Sequence, residues 1–369
     1  MTTTGKQLLS TLSPEGKLTV ELIDQTLPDP TGSQVVIRIE ATPINPSDLG
    51  LLFGPADTAN AEYTPGKVVA QMPEAATRAM AARHGQAMAV GNECAGTVIA
   101  AGEDPAAQAL LGKLVAAVPG GSYAQNVLTD ARGCMVLGQG ITAEQGAAAF
   151  VNPMTALGFV ETMKMESFTG IVHTAAASNL GQMLVKICLE DGVPLVNIVR
   201  SEAQVTLLKG LGASHVVDST APDFMKQLIA AITETKAMIG FDAIGGGGLA
   251  GQILTAMEAA ASAGAAYSRY GSSSPKKVNI YGALDMGPTV LNRAFGLTWD
   301  LSGWLLTPFL GKAGAETVGA MRQRVLANLT TTFASSYKAR VSLEKMLTKD
   351  AVSDYNARRT GEKYLVVPN

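Results

Sequence analysis

The chain has 369 residues, 47% of them apolar, and a formal net charge of -3 at neutral pH. That length exceeds the usual span of one hydrophobic core, so two domains are expected, and the scattered, nearly balanced charges leave no basic footprint for nucleic acid. The three cysteines, Cys94, Cys134 and Cys188, fit neither a disulfide framework nor a zinc-ligand spacing. With no secretory leader and no window of ~18 uninterrupted apolar residues, this points to a cytoplasmic protein without a membrane span, acting on a small molecule.

In chain order, the first ~145 residues read as short strands bounded by Gly, Pro and Asp. They are "KLTVELID", "SQVVIRIEATPIN", "AGTVIAAG", "KLVAAVPGGSYAQNVLT" and "GCMVLG". One alanine-rich segment, "PEAATRAMAARHGQAMAVG" (73–91), interrupts them and is expected to be helical. From "TAEQGAAAFVNPMTALGFVETM" the texture changes, and Thr142 with Gln145 forms a capping-box pattern at the first helix. Brief apolar runs then alternate with longer helical patterns: "GIVHTA", "LGQMLVKICLEDG", "PLVNIV", "SEAQVTLLKGLGA", "HVVDS", "DFMKQLIAAITETK", "GFDAIGG", "GGLAGQILTAMEAAASA" and "KVNIYGAL". This alternation predicts a doubly wound α/β domain, a parallel sheet covered by helices on both faces. "GLTWDLSGWLL" (296–306) reads as a sixth strand and a candidate homodimer contact, and "AETVGAMRQRVLANLTTTF" as a helix. The terminal strand "KYLVV" is expected to return to the first domain. The expected division is thus a β-rich domain of 1–150 and 312–369 around a cofactor domain of 151–311.

Ligands of such sheets lie at the carboxyl ends of the strands, and the first strand-to-helix turn meets a pyrophosphate. That turn, "HTAAASNLGQ", is poor in glycine, but Ala175, Ala176, Ala177 and Ser178 are small enough to let backbone approach a phosphate. Asn179 tolerates left-handed backbone, Ser178 supplies a hydroxyl, and Gly181 stands where helix and strand must pack closely. About 20 residues on, where NAD-binding domains place an acid against the ribose, the second strand ends in Arg200-Ser201. A guanidinium and a hydroxyl there suit a 2′-phosphate and favour NADPH, although Arg200 taken alone also reads as a solvated cation. Gly245, in the exit of "GFDAIGGGG", and Gly282, after "VNIY", end strands on the cofactor side. Asp218, at the end of the third strand, is as readily a local cap as a cofactor contact.

With these residues in place the chain resembles the zinc-independent quinone oxidoreductase and enoyl thioester reductase branches of the medium-chain dehydrogenase/reductase superfamily. The resemblance rests on "INPSDLGLLFG" (44–54), "GNECAGTVIAAG" (91–102), "GGSYAQNVL" (120–128), "TAEQGAAAFVNPMTAL" (142–157), "HTAAASNLGQ" and "LLKGLGASHVVD" (207–218), in that order. It implies a GroES-like catalytic domain split around a Rossmann domain. It further implies Thr155 near the nicotinamide, backbone donors from Ser178, Asn179 and Leu180 to the pyrophosphate, Arg200 at the 2′-phosphate, and Lys363 near the cofactor.

The departures bear on chemistry. Where zinc-dependent relatives carry Cys and His, this chain has Asn45 or Pro46 and Asn92, so an ordinary catalytic zinc site is not expected. His173 and His215 read as residues of buried strands, and His84 as surface. Hydride transfer without a Lewis acid calls for an acceptor polarised by conjugation, a quinone or an α,β-unsaturated carbonyl. The tyrosine that enoyl thioester reductases use as donor falls at Ala56; Tyr63 follows seven residues later, and Asn45 is the expected substrate contact. Tyr123 reads as packing and Asp48 as a turn cap. The stretches 67–90 and 267–277 exceed usual family lengths, and the first is expected to line or lid the substrate pocket. An NADPH-binding protein of structural or regulatory role is the competing reading, because the family's donor is missing.

Overall fold

A computed structural model of the chain describes residues 2–357 and 363–369. It falls into two compact units, Met1–Val151 with Arg324–Asn369, and Asn152–Gln323. The second boundary lies inside one long helix, Leu306–Ala327, rather than ahead of it. Among the described residues no helix is long and apolar enough to cross a membrane.

The first unit is β-rich. Thr3–Leu12 and Lys17–Leu27 pair antiparallel with alternating burial, which sends Leu8, Leu12, Leu18 and Val20 into one core. Gln34–Pro43 is the central strand of the second sheet, between Cys94–Ala101 and Asn126–Asp130, and it carries Val35, Ile37 and Ile39 into a separate core. Both sheets are antiparallel except at the tail, where Ala339–Val341 and Tyr364–Val366 run parallel. The last strand does return to this unit: Leu365 pairs with Pro43 and Val366 with Thr42, and the Ile44 N–H donates to the Tyr364 carbonyl at 3.0 Å. This pairing sets Lys363 beside the turn that carries Asn45.

The segment 73–91 does not form the single helix that its alanines suggest. It has one short helix, Glu74–Ala79, a 3-10 turn at Ala81–Arg83, and an edge strand, Met88–Ala89. Gly85 adopts φ +71° and donates its N–H to the Leu12 carbonyl, while the Arg83 guanidinium bonds Ser10 Oγ (2.6 Å) and the Leu51 carbonyl (3.2 Å). Anchoring to the first sheet and its neighbouring turn overrides helix propensity here.

The second unit is the doubly wound sheet. Its strands are β1 (Ile171–His173), β2 (Leu195–Val199), β3 (His215–Asp218), β4 (Ile239–Asp242), β5 (Lys276–Ile280) and β6 (Trp299–Gly303), all parallel, in the order β3-β2-β1-β4-β5-β6. The connecting helices are α1 (Val151–Met165), α2 (Asn179–Asp191), α3 (Glu202–Gly210), α4 (Phe224–Thr235), α5 (Leu249–Ser262) and α6 (Leu306–Ala327). Every residue of β2 is buried, as covering on both faces demands. Val172, Val196, Ile198, Leu228, Ile253 and Val278 belong to the core between the sheet and α4 and α5. Two features were not expected. Gly245–Gly247 pairs with an exposed strand, Asp285–Thr289, and α6 begins nine residues early, broken at Gly314 (φ 82°, ψ 163°).

Candidate active site

The strand order reverses at β1, so the crevice beside its carboxyl end is where this architecture binds ligands. The β1–α2 turn is built for close approach. A Cβ on residue 181 would sit 2.1 Å from the Ala176 carbonyl oxygen, so only glycine lets α2 start this near the turn. Ser178 is the N-cap; its hydroxyl accepts from the Gly181 N–H (3.1 Å) and its carbonyl from the Gln182 N–H (2.9 Å). Ala177 is held from outside, its carbonyl accepting from Gln182 Nε2 at 2.9 Å. The left-handed residue is Ala175 (φ 49°), while Asn179 is the first residue of the helix. The left-handed backbone that Asn179 would tolerate thus falls to Ala175 instead. With its N-terminal N–H groups and Leu180 in its first turn, a helix of 13 residues directs a partial positive charge at the turn.

At the end of β2, Arg200 is exposed, and its backbone N–H donates to Gln204 Oε1 (3.0 Å). Ser201 caps α3, accepting from the Gln204 N–H at 3.4 Å. Asp218 Oδ1 is taken by the Thr220 N–H (2.9 Å) and hydroxyl (2.8 Å), which makes it a local cap.

An organising group not among the expected site residues stands at the end of β4. Asp242 is fully buried and accepts from Thr174 Oγ1 (2.7 Å), the Ile244 N–H (3.0 Å) and the Gly245 N–H (3.1 Å). It ties the exits of β1 and β4 together. Gly245 (φ +82°) and Gly282 both stand where backbone approaches closely: a Cβ on 245 would lie 2.8 Å from the Gly282 carbonyl oxygen, and one on 282 would lie 2.6 Å from that of Ala243. Beside them a cleft of about 510 Å³ opens at the carboxyl ends of β5 and β6, lined by Ile280 to Ala283, Gly303 to Leu305 and Pro308. His173 is buried with Nε2 2.8 Å from the Tyr281 hydroxyl, and burial pushes it down to about 3, so it stays neutral. Thr155 is buried in α1.

In the first unit, a buried polar cluster forms behind the turn of residues 44–48. Asn45 Nδ2 donates to Glu93 Oε1 (2.8 Å), and Glu93 Oε2 accepts from the N–H groups of Phe150 (3.0 Å) and Val151 (2.8 Å). Asp48 Oδ2 accepts from the Asn45 N–H (2.8 Å) and the Tyr123 hydroxyl (3.0 Å). Burial pushes Asp48 up to about 7 against those two hydrogen bonds; burial likewise raises Glu93, opposed by the charge of Lys363. The Lys363 ammonium is itself buried and lowered by desolvation, with Glu93 and Asp48 pulling the other way. Asp48 is thus both the turn cap that the sequence suggests and a buried acid, and Tyr123 is its donor rather than packing alone. The signal was present in the sequence as two carboxylates inside otherwise apolar motifs.

The remaining residues are engaged elsewhere. Asn92 Nδ2 donates to Ser47 Oγ at 3.0 Å. Ala56 packs in the apolar core. The Tyr63 hydroxyl donates to the Thr58 carbonyl at 2.7 Å, so it is committed within its own loop. Among the described residues no group of three or more His, Cys, Asp or Glu side chains is placed to hold a metal ion.

The β-rich unit with its returning C-terminal strand and the doubly wound unit give the chain the two-part fold, GroES-like and Rossmann, of the solved structures it resembles. No family model matches it. It is similar along 99% of its length to the crystal structure of a proposed NADPH:quinone reductase from Mesorhizobium loti, with 26% identity, 98% of that chain covered and a TM-score of 0.74. A structure solved as a complex with NADP and crotonyl-CoA shares the fold at a TM-score of 0.68 and 16% identity, over 99% of this chain and 100% of that one. Among curated proteins, the mitochondrial enoyl-[acyl-carrier-protein] reductase of Bos taurus is 27% identical over 204 residues, 54% of this chain. The match spans about half of that relative, 48% of its length.

Proposed function

We propose that the protein is a zinc-independent, NADPH-dependent reductase that passes hydride to a quinone or to the activated double bond of an α,β-unsaturated carbonyl compound. The observation that carries this reading is the β1–α2 turn, closed by the Gly181–Ala176 approach, together with an exposed guanidinium one strand away. Ser178, Asn179, Leu180 and Gly181 would hold the pyrophosphate, Arg200 and Ser201 the 2′-phosphate, and Thr155, Ala177, Gly245, Gly282 and Lys363 the remainder of the cofactor. When bound, the dihydronicotinamide supplies hydride.

The rest falls to the chain's own residues. Asn45 is the substrate contact in this reading, its amide orientation set by Glu93. Amides at Asn45 and Asn92, tied to Glu93 and Ser47, are poor substitutes for thiolate and imidazole, which supports an acceptor polarised by its own conjugation. Tyr63 would act as a donor only by leaving Thr58. We read the outer edge of β6 as a homodimer contact and the reducing cytoplasm as the working compartment.

The test is NADPH oxidation with a panel of quinones and enones. Turnover on at least one class, with NADPH preferred over NADH, is expected. Tight NADPH binding without turnover on any would instead favour a structural or regulatory role, the reading that buried Ala56 at the family's donor position supports.

A further inference from the structure

Hydride transfer to a quinone or an enone leaves an oxyanion or enolate that must take up a proton. In our functional reading, on which this inference rests, neither Tyr63 nor Ala56 provides one. The buried cluster of the first unit contains three polar atoms without ordinary hydrogen bonds: Lys363 Nζ, Asp48 Oδ1 and Asn45 Oδ1. The Asp48 N–H, which faces the Asn45 side chain across the turn, donates to the Asn45 main-chain carbonyl at 3.0 Å. Buried polar groups are rarely left unpaired, and here one donor and two acceptors occur in one cluster. The Lys363 charge acts on both Asp48 and Glu93, yet its ammonium has no hydrogen-bond partner, so a gap separates it from both carboxylates. Such a polar gap suits one ordered water, which needs two to four polar partners.

We propose that the Asp48–Lys363 pair is a buried proton store, joined by a water between Lys363 Nζ and Asp48 Oδ1, and that it supplies the proton taken up after hydride transfer. Each turnover breaks the O–H bond of the Asp48 carboxylic acid. The proton leaves by the water toward the acceptor at Asn45 and forms the new O–H or C–H bond there. Asp48 remains as a carboxylate facing the Lys363 ammonium and is reprotonated from solvent. The cofactor supplies the electron pair, so the store gives up a proton only. The charged and titratable groups that face Asp48 are Glu93, Lys363 and Tyr123, with Tyr355 behind Tyr123 and Tyr337 near Glu93. Glu93 disfavours the second negative charge and Lys363 favours it, and burial outweighs both. Asp48 acts through the water and Asn45, and is a positioning residue in that sense.

The test has one readout independent of turnover. Infrared difference spectra of the full chain across pH 5 to 9 should show a protonated-carboxyl band that titrates near neutrality, disappears in Asp48→Asn and shifts to a higher midpoint in Lys363→Met, with Lys363→Arg restoring it. A wild-type spectrum without that band overturns the store. With whichever acceptor turns over, kcat should fall as pH rises through the same midpoint, lose at least ten-fold and its pH limb in Asp48→Asn, and follow the shifted midpoint in Lys363→Met. An unchanged pH profile in both variants overturns proton delivery even if the band is present. Failure of the whole acceptor panel overturns the reductase reading, and delivery with it, while the infrared titration still decides storage. If Asp48→Asn does not fold, the Lys363→Met and Lys363→Arg pair carries the same comparison.

Discussion

Arg200 is fixed by its backbone, through Gln204, while its guanidinium extends to solvent at the end of β2. A charge-assisted pair with a phosphate is worth about 1.5–3 kcal/mol, so Arg200→Ala should weaken NADPH binding roughly 10- to 100-fold and leave NADH binding unchanged. Titration of both nucleotides checks it, and an unaltered preference would return Arg200 to the solvated cations. Gly181 makes a different kind of demand. A methyl group there would stand 2.1 Å from the Ala176 oxygen, a backbone atom that yields only if the turn moves. Gly181→Ala should cost about 1–3 kcal/mol in thermal or urea melts, by overpacking, and weaken NADPH binding further because the displaced backbone is the part meant for phosphate. Both residues stand out in the sequence, since small-residue turns and strand-end cations are local patterns. Of the Asp48, Glu93 and Lys363 cluster the sequence shows the two carboxylates but not their meeting with Lys363, which follows only when the C-terminal strand pairs with residues 42 and 43.

At the scale of elements, the alternation of strands and helices from β1 to β6 is legible because period and length are properties of consecutive residues. The failures share one cause, tertiary contact. Residues 73–91 lose their helix to Arg83 and Gly85 contacts with the strand Thr3–Leu12, and the pairing of Gly245–Gly247 with Asp285–Thr289 has no local signature. The long loop 267–277 shows the same limit: the sequence marks its length but not its anchor. Lys276, at the start of β5, has a fully buried ammonium 2.7 Å from Glu258 Oε2 on α5, and it also donates to Ser272 Oγ (3.1 Å) and the Ser274 carbonyl (2.9 Å). Glu258 further accepts from Ser262 Oγ (2.7 Å), the Ser272 N–H (2.7 Å) and Ser272 Oγ (2.8 Å). Burial alone would raise this carboxyl, but Lys276 and the serine and backbone donors hold it down to about 2. A depressed carboxyl stabilises the fold above its ordinary value of 4.5, and that contribution is lost as pH falls toward about 2. Lys276→Met leaves Glu258 buried without its cation and should cost about 3–5 kcal/mol at neutral pH, with a smaller penalty at pH 3. Denaturant melts at the two pH values measure the difference, and equal penalties would show that the ion pair does not anchor the loop.

For the whole molecule, the open question at the sheet is what meets the far side of β6. Among the described residues the strand pairs with β5 on one side only, and Leu297 and Leu305, which flank it in sequence, are 71% and 65% exposed. An open edge with apolar neighbours is a liability in a lone subunit, and natural proteins pair or cover it. A second copy satisfies it most economically, since a strand related to itself by a two-fold axis pairs antiparallel and presents the same side chains to one another. Sedimentation should therefore show a species of twice 38.1 kDa at micromolar concentration. Leu297→Glu combined with Leu305→Glu places like charges against each other across that axis and should shift the chain to monomer. The melting temperature of the wild type should rise with protein concentration and that of the double variant should not, because only the former gains from mass action. NADPH affinity should be equal in the two, since the turn at Ser178–Gly181 follows β1 and the cation at Arg200 ends β2, three and four strands along the sheet from β6. A 38.1 kDa species at every concentration, with an unchanged melt in the double variant, would mean that the β6 edge tolerates solvent and that its apolar neighbours serve something other than self-association.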